Sequence, residues 1–331
     1  MNRYIIPILT VVFVMHFISP AQATLLGEAA GYNVFAFGEV NVTSDAEGRI
    51  AAGGNFTATN YSVGLYAEDN NDEYDVGGEA SQNQFSLVSG GNVNFKRGTI
   101  HNGGIYAKGD IALDNHTING DVVSQGSLAL GPGGGTINGS ISENSSLGNP
   151  IDFTAAETYL KGVSEGISQQ DIDGLTHVAN WGGVTFTGVD DLNYFFLEGT
   201  DLAAAKRMDF FLGQDDIAII NVSGTSLEID NFGMTGWEGK QENILFNFFE
   251  AEDLDIHNIG FKGSILAPLA DITFNSAHID GTMIAQTMFG SGQYNDHLFD
   301  HDVQPVPEPA TMLLFGAGLV GLAGLRRKKT A

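Results

Sequence analysis

The stretch Ile105 to Leu113, IYAKGDIAL, decides the fold because its nine-position pattern occurs at least four more times in the chain. The pattern reads apolar, any residue, Ala or Ser, any residue, Gly, small polar or acidic, apolar, any residue, apolar. The other copies are VFAFGEVNV from Val34, IAAGGNFTA from Ile50, LVSGGNVNF from Leu87 and VVSQGSLAL from Val122. Their starting positions predict stacked repeats of about 18 residues, with one interval close to double that length.

Each copy contains two strand-sized pieces around its glycine, and a third piece follows. Thr117 begins TING, which echoes TIHNG from Thr99 and recurs from Thr136. Three short strands with turns between them predict one coil of a β-solenoid, whose coils stack at about 4.8 Å. A β-sandwich is the alternative, but it would not place one pattern at a near-fixed interval.

Alternation within the strands predicts which side chains fill the solenoid. Ile105 and Ala107 are expected to point inward, whereas Tyr106 and Lys108 are expected to point outward. Outward aromatic side chains such as Tyr61, Tyr66 and Tyr106 are therefore candidates for contact with a ligand.

Residues 153–170 predict one α-helix packed along the flank of the solenoid. Thr154 and Glu157 have the spacing of a capping box. An apolar stripe follows at Ala156, Leu160, Val163 and Ile167. A helix that binds a partner protein is the alternative. Beyond it, Gly263 and Gly281 are again one repeat apart, so the solenoid is expected to resume.

The composition excludes several classes of protein. The chain has no cysteine, so disulfides, thiolate metal sites and cysteine nucleophiles are all excluded. The formal net charge is -26, and several of the basic residues lie at the extreme ends of the chain. A body this acidic repels nucleic acid and anionic lipid, so we expect no nucleic-acid partner.

Both ends of the chain have the character of targeting signals. Residues 1–23 have a basic start, an apolar run and the small residues Ala21 and Ala23 of a cleavage site, which predict a secretory signal peptide. Residues 303–309 form a linker. Residues 310–331 predict a short transmembrane helix with a basic tail, which would hold this end in the inner membrane before processing.

The C-terminal sequence VPEPATMLLFGAGLVGLAGLRRKK resembles the PEP-CTERM sorting signal. It has the triplet Pro307, Glu308 and Pro309, then a glycine-rich apolar run, then the basic cluster. The resemblance implies processing by an exosortase in a Gram-negative bacterium, and export to the cell envelope, cell surface or extracellular matrix. A plain membrane anchor is the alternative.

Residues 24–302 resemble the choice-of-anchor A domain through LGEAAGYNVFAFGEV from Leu26, DDIAIINVSG from Asp215, GSILAPLADI from Gly263 and HIDGTMIAQTM from His278. The resemblance implies a right-handed β-helix that belongs to adhesive modules of bacterial surface proteins. Leu269 departs from the pattern, which has Asn there. The family supplies no catalytic residues to transfer.

Residues 66–84 predict an acidic loop that leaves the solenoid between two coils. Asp69, Asn71, Glu73 and Asp75 place oxygen ligands at every second position, as calcium loops do. The first glycine is Gly77, which does not fit the spacing of a calcium loop, and no distal Glu is placed to close the site, so a solvated acidic loop is the other interpretation. Calcium is the only cofactor that the sequence suggests.

A catalytic function is one alternative, because some β-helices cleave polysaccharides. Candidate bases for a lyase are Arg49, Lys96, Arg97 and Lys108. The pairs Asp190–Asp191 and Asp215–Asp216 suit a glycosidase poorly, since adjacent residues on a strand point to opposite faces. DHLFDHD from Asp296 could hold a metal only if it were helical; a polar closing segment with a packed Phe299 is the other interpretation.

We therefore expect an all-β right-handed β-solenoid with one flanking helix that is secreted, sorted to the surface and non-catalytic. Its expected partners are an exosortase and extracellular polysaccharide or another matrix component. Two alternatives stay open: a polysaccharide lyase or hydrolase, and an ice-binding protein, since Thr99, Thr117 and Thr136 form one column of a possible ladder.

Overall fold

A computed structural model describes residues 24–67 and 85–303 of the chain. The predictions for residues 1–23, 68–84 and 304–331 concern residues outside this description. They include the signal peptide, most of the acidic loop, and the sorting signal with its transmembrane helix.

The first half of the described chain is a series of short strands that follows a 3-10 turn at Gly27–Ala29. The strands are β1 (Val34–Ala36), β2 (Val40–Ala46), β3 (Ile50–Ala52), β4 (Phe56–Val63), β5 (Phe85–Ser89), β6 (Val93–Ile100), β7 (Gly104–Ala107), β8 (Ile111–Ile118), β9 (Val122–Ser124), β10 (Leu128–Leu130), β11 (Gly135–Ile137) and β12 (Ile141–Ser142).

The second half begins with helix α1 (Phe153–Ser168) and includes the short helix α2 (Gly199–Ala203) and a 3-10 turn at Gln241–Asn243. Its strands are β13 (Leu175–Val178), β14 (Gly183–Thr187), β15 (Leu192–Leu197), β16 (Arg207–Phe211), β17 (Ile217–Val222), β18 (Ser226–Asp230), β19 (Gly233–Thr235), β20 (Ile244–Asn247), β21 (Asp253–His257), β22 (Gly260–Lys262), β23 (Ser264–Asn275), β24 (His278–Asp280), β25 (Met283–Gly290) and β26 (Gln293–Asn295).

The strands stack in parallel into three faces, which confirms the predicted β-solenoid. In spatial order, the helix face consists of β15, β17, β20, β23, β25, β1, β3, β5, β7, β9 and β12. The second face consists of β18, β21, β23, β25, β2, β4, β6, β8 and β10. The third face consists of β22, β24, β26, β2, β4, β6, β8 and β11.

A separate four-stranded sheet, β13-β14-β16-β19, continues the third face at one end. Strand β19 contacts β22 of the solenoid. Strand β13 pairs with β14 in the antiparallel direction, whereas β14, β16 and β19 pair in parallel. An antiparallel hairpin thus lies at this end of the stack.

The order of the coils in space differs from their order in the chain. Val34 of the first coil pairs with Ile50 on one side and with Met283 of the last coil on the other. The chain therefore begins in the middle of the stack and builds one half. Helix α1 then leads to the far end, from which the second half returns to join the first coil.

The repeat pattern is explained by contacts between neighbouring coils at the turn. A Cβ on Gly109 would lie 2.1 Å from Oδ1 of Asn92, so only glycine fits there. In three coils the polar residue after the glycine accepts the backbone N–H of its counterpart in the next coil: Asn55 Oδ1 binds Asn92 N at 2.9 Å, Asn92 Oδ1 binds Asp110 N at 2.8 Å, and Asp110 Oδ1 binds Ser127 N at 2.8 Å. The backbone N–H and the hydroxyl of Ser127 both donate to Asp110 Oδ1, and these two bonds lower the pKa of Asp110.

Helix α1 lies along the helix face as predicted, and its whole apolar stripe is buried. The predicted capping box is wrong. Asp152 is the N-cap, and its Oδ1 accepts the backbone N–H of Ala155 at 3.1 Å. Thr154 lies inside the first turn, and Glu157 forms an i,i+4 ion pair with Lys161 at 2.6 Å. Asp152 precedes Thr154 and already provides a carboxylate at the helix start, where it is favourable.

Candidate functional site

Most of the helix face is covered, which corrects the expectation for the aromatic residues. Tyr106 is fully buried because the segment after β12 covers it, and its hydroxyl lies 3.2 Å from the carbonyl of Leu147. Tyr61 is buried inside the solenoid, where burial raises its pKa well above the usual range. Of the three predicted tyrosines only Tyr66 is exposed. Strands β1, β3, β5, β7 and β9 are buried on both sides, so alternation alone does not identify their outer residues.

The second face is open and acidic at one end. Glu228, Asp253, Asp255 and Asp271 are exposed there. His257 lies among them, with Nε2 3.3 Å from Glu228 and Nδ1 3.4 Å from Asp255. This end of the face would repel anionic ligands.

A polar groove follows the corner between the second and third faces. Residues with left-handed backbone occupy this corner in five coils: Asn258, Ser276, Asn60, Arg97 and Asn115, with φ between 50° and 55°. In the two coils between Ser276 and Asn60, Gly290 and Ser44 have φ of 142° and 117°. Asn tolerates this conformation better than most residues. One groove segment of ≈ 450 Å³ is lined by residues that include Asn60, Arg97 and Asn115, and another of ≈ 380 Å³ by residues that include Ser44, Asn258 and Ser276.

The threonine column predicted from the sequence lies beside this groove. Thr99 pairs in register with Thr117, which pairs with Thr136, and Ser62 precedes them. His116 lies below the column with 5% of its surface exposed, and burial lowers its pKa. Hydroxyl and amide groups therefore dominate this part of the surface, and Arg97 supplies a charge.

The four candidate bases do not lie together. Arg49 is buried, and burial lowers its pKa. Lys96 is exposed on the second face, where it pairs in register with Asp114, while Arg97 is at the corner. Lys108 lines a separate pocket near the start of helix α1. The four side chains therefore do not surround one place where a polysaccharide bond could be cleaved.

One residue of each candidate acidic pair forms a hydrogen bond within a turn. Asp216 accepts the backbone N–H of Gly213 at 2.6 Å. The backbone carbonyl of Asp190 accepts the amide of Asn193. Within residues 24–67 and 85–303, no group of three His, Asp or Glu side chains has an arrangement that could hold a metal ion.

The closing segment DHLFDHD packs against the turn at Gln241–Asn243. His297 Nδ1 lies 3.0 Å from Oε1 of Glu242, and His301 Nε2 lies 3.0 Å from Oδ1 of Asn243. Phe299 between them is fully buried. The two histidines thus contact separate partners, and this agrees with the interpretation as a polar closing segment.

Three groups of predicted site residues lie outside the described residues. They are the sorting triplet Pro307, Glu308 and Pro309, the cleavage residues Ala21 and Ala23, and the calcium candidates Asp69, Asn71, Glu73 and Asp75. The roles of the cleavage residues and of the calcium candidates stay predictions.

Comparison with known families matches two parts of the chain. The ice-binding-like adhesive domain matches residues 25–296. The chain belongs to this family. The PEP-CTERM protein-sorting motif matches residues 305–328, which include the predicted triplet. Together the two matches show a secreted surface protein with a signal for exosortase processing.

Solved structures of ice-binding proteins are similar to the chain at low identity. One from an Antarctic biological consortium is 17% identical, with a TM-score of 0.33, and covers 89% of this chain and 96% of its own. A glycosylated one from an Arctic yeast is 11% identical, with a TM-score of 0.35, and covers 87% and 96%. At these scores the similarity carries no argument about the ligand. No curated protein matches the chain.

Neither helix among the described residues combines the length and apolar character needed to cross a bilayer. The predicted transmembrane helix at 310–331 lies outside the described residues.

Proposed function

We propose that this member of the ice-binding-like adhesive domain family is a non-catalytic adhesive module that binds extracellular polysaccharide along the corner groove. The observation that carries the proposal is the conformation of Arg97. Its φ of 52° is the left-handed region, which its stack neighbours Asn60 and Asn115 occupy at lower cost. Strained backbone conformations are concentrated at functional sites, because a conformation that lowers stability persists where the function of the protein requires it.

The shape and chemistry of the groove favour a polymer of sugars. Amide and hydroxyl groups recur along the groove at the coil spacing of about 4.8 Å, so one long polyhydroxylated chain can be bound by many equal contacts. The acidic body disfavours nucleic acid and anionic membranes. The separation of the candidate bases supports binding without cleavage.

A binding experiment tests this proposal. The purified protein is passed over immobilised extracellular polysaccharide from the producing strain, and we expect retention that soluble polymer competes away. Arg97→Asn should weaken retention several-fold, whereas Lys96→Asn, which changes the adjacent exposed charge on the second face, should leave it unchanged. Equal retention of both variants would overturn the role of the groove.

Ice binding is the second candidate, and the register of Ser62, Thr99, Thr117 and Thr136 favours it. The column is only one threonine wide, and Arg97 lies beside it in the groove. Charged side chains organise their own hydration, so this surface suits ice less well than sugar. We expect no thermal hysteresis from the purified protein; measurable hysteresis would favour ice as the ligand.

Processing and anchoring complete the proposal. Before processing, residues 310–331 would hold the chain in the inner membrane, and an exosortase would act at the sorting signal. Calcium binding by Asp69, Asn71, Glu73 and Asp75 belongs to the same set of proposals, and a calcium-dependent rise in melting temperature would support it.

A further inference from the structure

Two large aromatic side chains stand exposed on the outer surface of the four-stranded sheet. Trp181 and Phe211 each have 63% of their surface exposed. Alternation on β16 places Met208 and Phe210 in the core and Arg207, Asp209 and Phe211 outside. Leu175 on β13 is also exposed, and it pairs with Thr187, which pairs with Phe211. Exposed aromatic and apolar groups that lie together commonly mark a binding site.

The indole ring of Trp181 lies flat against the sheet. It belongs to the turn between β13 and β14, where Gly182 has a φ of 90°. A Cβ on Gly183 would lie 2.2 Å from Cζ2 of Trp181, so the ring covers the outer side of Gly183. Glycine at 183 therefore lets one face of the indole rest on the backbone while the ring stays largely exposed.

Polar groups lie between the two aromatic side chains. Thr185 pairs in register with His177 on one side and with Asp209 on the other. Arg207 Nε donates to Oδ1 of Asp209 at 2.6 Å, and the hydroxyl of Thr235 also donates to this oxygen. The carboxylate of Asp209 is thus held in place with its second oxygen outside these bonds.

The spacing of the aromatic groups suits an oligomeric ligand. Gly183, beneath Trp181, pairs with Arg207, and Phe211 lies four residues farther along the same strand. At about 3.3 Å per residue the two aromatic positions are about 13 Å apart. Along the strands, the polar groups thus lie between Trp181 at one end and Phe211 at the other.

We propose that this surface is a saccharide platform, on which one pyranose ring stacks on Trp181 and another sugar of the same chain contacts Phe211. The C–H groups on one face of a pyranose are weakly positive and suit the negative face of the indole. Ring hydroxyls donate to Asp209 and accept from Arg207. The platform rests on the proposed function, since it takes the ligand to be a polysaccharide.

Polar side chains between the aromatic groups argue against a second protein copy as the occupant. An apolar contact would also bury Asp209 and Arg207, and removing these charged groups from water is unfavourable.

Lys206 is exposed next to Gly182, with its Cγ 3.1 Å from where a Cβ on that glycine would be. This cation would favour a sugar that carries a carboxylate over a neutral one.

The platform and Arg97 are separate contacts on the third-face side of the protein. Seven strand steps lead from β16 to β6, which amounts to roughly 35 Å at about 4.8 Å per step. A polysaccharide is long enough to reach both, and simultaneous contact would raise the apparent affinity without new bonds.

The experiment uses fluorescence of the purified protein. Trp237→Phe leaves Trp181 as the remaining one of the two tryptophans. Hexamers of a neutral β-glucan and of a uronate polymer are titrated separately, and we expect a blue shift and quenching that saturate. Retention on the producer's polysaccharide is then measured for Trp181→Ala, Trp181→Tyr, Phe211→Ala and Leu130→Ala, where Leu130 is a similarly exposed residue far from the platform.

Trp181→Ala should lower the affinity about tenfold, while Trp181→Tyr, which keeps a flat ring, should lose less. Leu130→Ala should change nothing. If the unaltered protein is retained and Trp181→Ala is retained equally, the platform is wrong and the proposed function stands. If the unaltered protein is not retained, the proposed function fails. A change of oligomeric state in Trp181→Ala with unchanged retention would also overturn the platform.

Discussion

The hydroxyl of Ser164 on helix α1 donates to Oδ1 of Asn247 at 2.6 Å, and both residues are buried. The amide of Asn247 donates in turn to the carbonyl of Ser164 at 2.9 Å and to Oδ1 of Asn221 at 2.8 Å. Asn221 donates to the carbonyl of Ile167. A buried ladder of amides therefore fixes the helix on the solenoid.

Asn247→Ala should destabilise the protein by about 3 kcal/mol, because it leaves several buried polar partners without a hydrogen bond. Urea denaturation measures this change. The exposed Asn180 supplies the control, and Asn180→Ala should stay within about 0.5 kcal/mol of the unaltered protein. Equal effects of the two substitutions would show that the ladder is not what holds the helix.

Asp152→Ala should cost about 1 kcal/mol, because it removes the N-cap bond to Ala155. Thr154→Ala should cost much less, and Asp152→Asn should retain most of the stability, because Asn also caps well. Thermal melting of the three variants checks this order. A larger loss for Thr154→Ala would restore the capping box predicted from the sequence.

Arg97→Asn should raise the free energy of unfolding by about 0.5 to 1 kcal/mol, because Asn adopts the left-handed conformation more readily. Asn60→Ala at the equivalent corner should have the opposite sign. Chemical denaturation measures both. A destabilising Arg97→Asn would mean that the Arg97 side chain contributes to stability and is not kept for binding.

The joining of the first and last coils predicts a specific cross-link. Asn41 pairs in register with Phe289, and both side chains are exposed. Parallel neighbours about 4.8 Å apart are within reach of a disulfide. In this cysteine-free chain, Asn41→Cys with Phe289→Cys should oxidise to an intramolecular disulfide, detected as a loss of free thiols and a mobility shift.

The control for the cross-link is Asn41→Cys with Phe196→Cys, which places the second thiol on the helix face. Its two thiols should stay free within each molecule. Free thiols in the first pair as well would contradict the join between the coils.

Burial lowers the pKa of His301 from its ordinary value of 6.5, with Asp300 and Glu242 opposing this shift. The folded state therefore favours the neutral ring. Its contribution to stability is complete above about pH 6.5 and is lost as the pH falls towards the lower folded-state pKa. Urea midpoints from about pH 5 to about pH 8 should fall on the acid side, and His301→Gln should reduce that slope. An unchanged slope would assign the acid sensitivity to other groups.

The repeat and the helix could be predicted from the sequence because each depends on local periodicity. The order of the coils could not, since the register of Val34 with Met283 arises from contacts between residues far apart in the chain. Alternation places Tyr106 outside, because it does not reveal that a second layer covers the strand. The repeat pattern gives no indication of Trp181, because this residue lies in a turn outside the repeat; the local signal in the sequence is an aromatic residue followed by two glycines.

We propose that this surface protein binds polysaccharide without cleaving it. Size-exclusion chromatography with light scattering tests it most directly, applied to the purified protein mixed with the producer's extracellular polysaccharide. We expect the protein to elute with the polymer, and the polymer, once released, to keep its original molar mass. Separate elution of the protein, or a fall in the molar mass of the polymer, would contradict it.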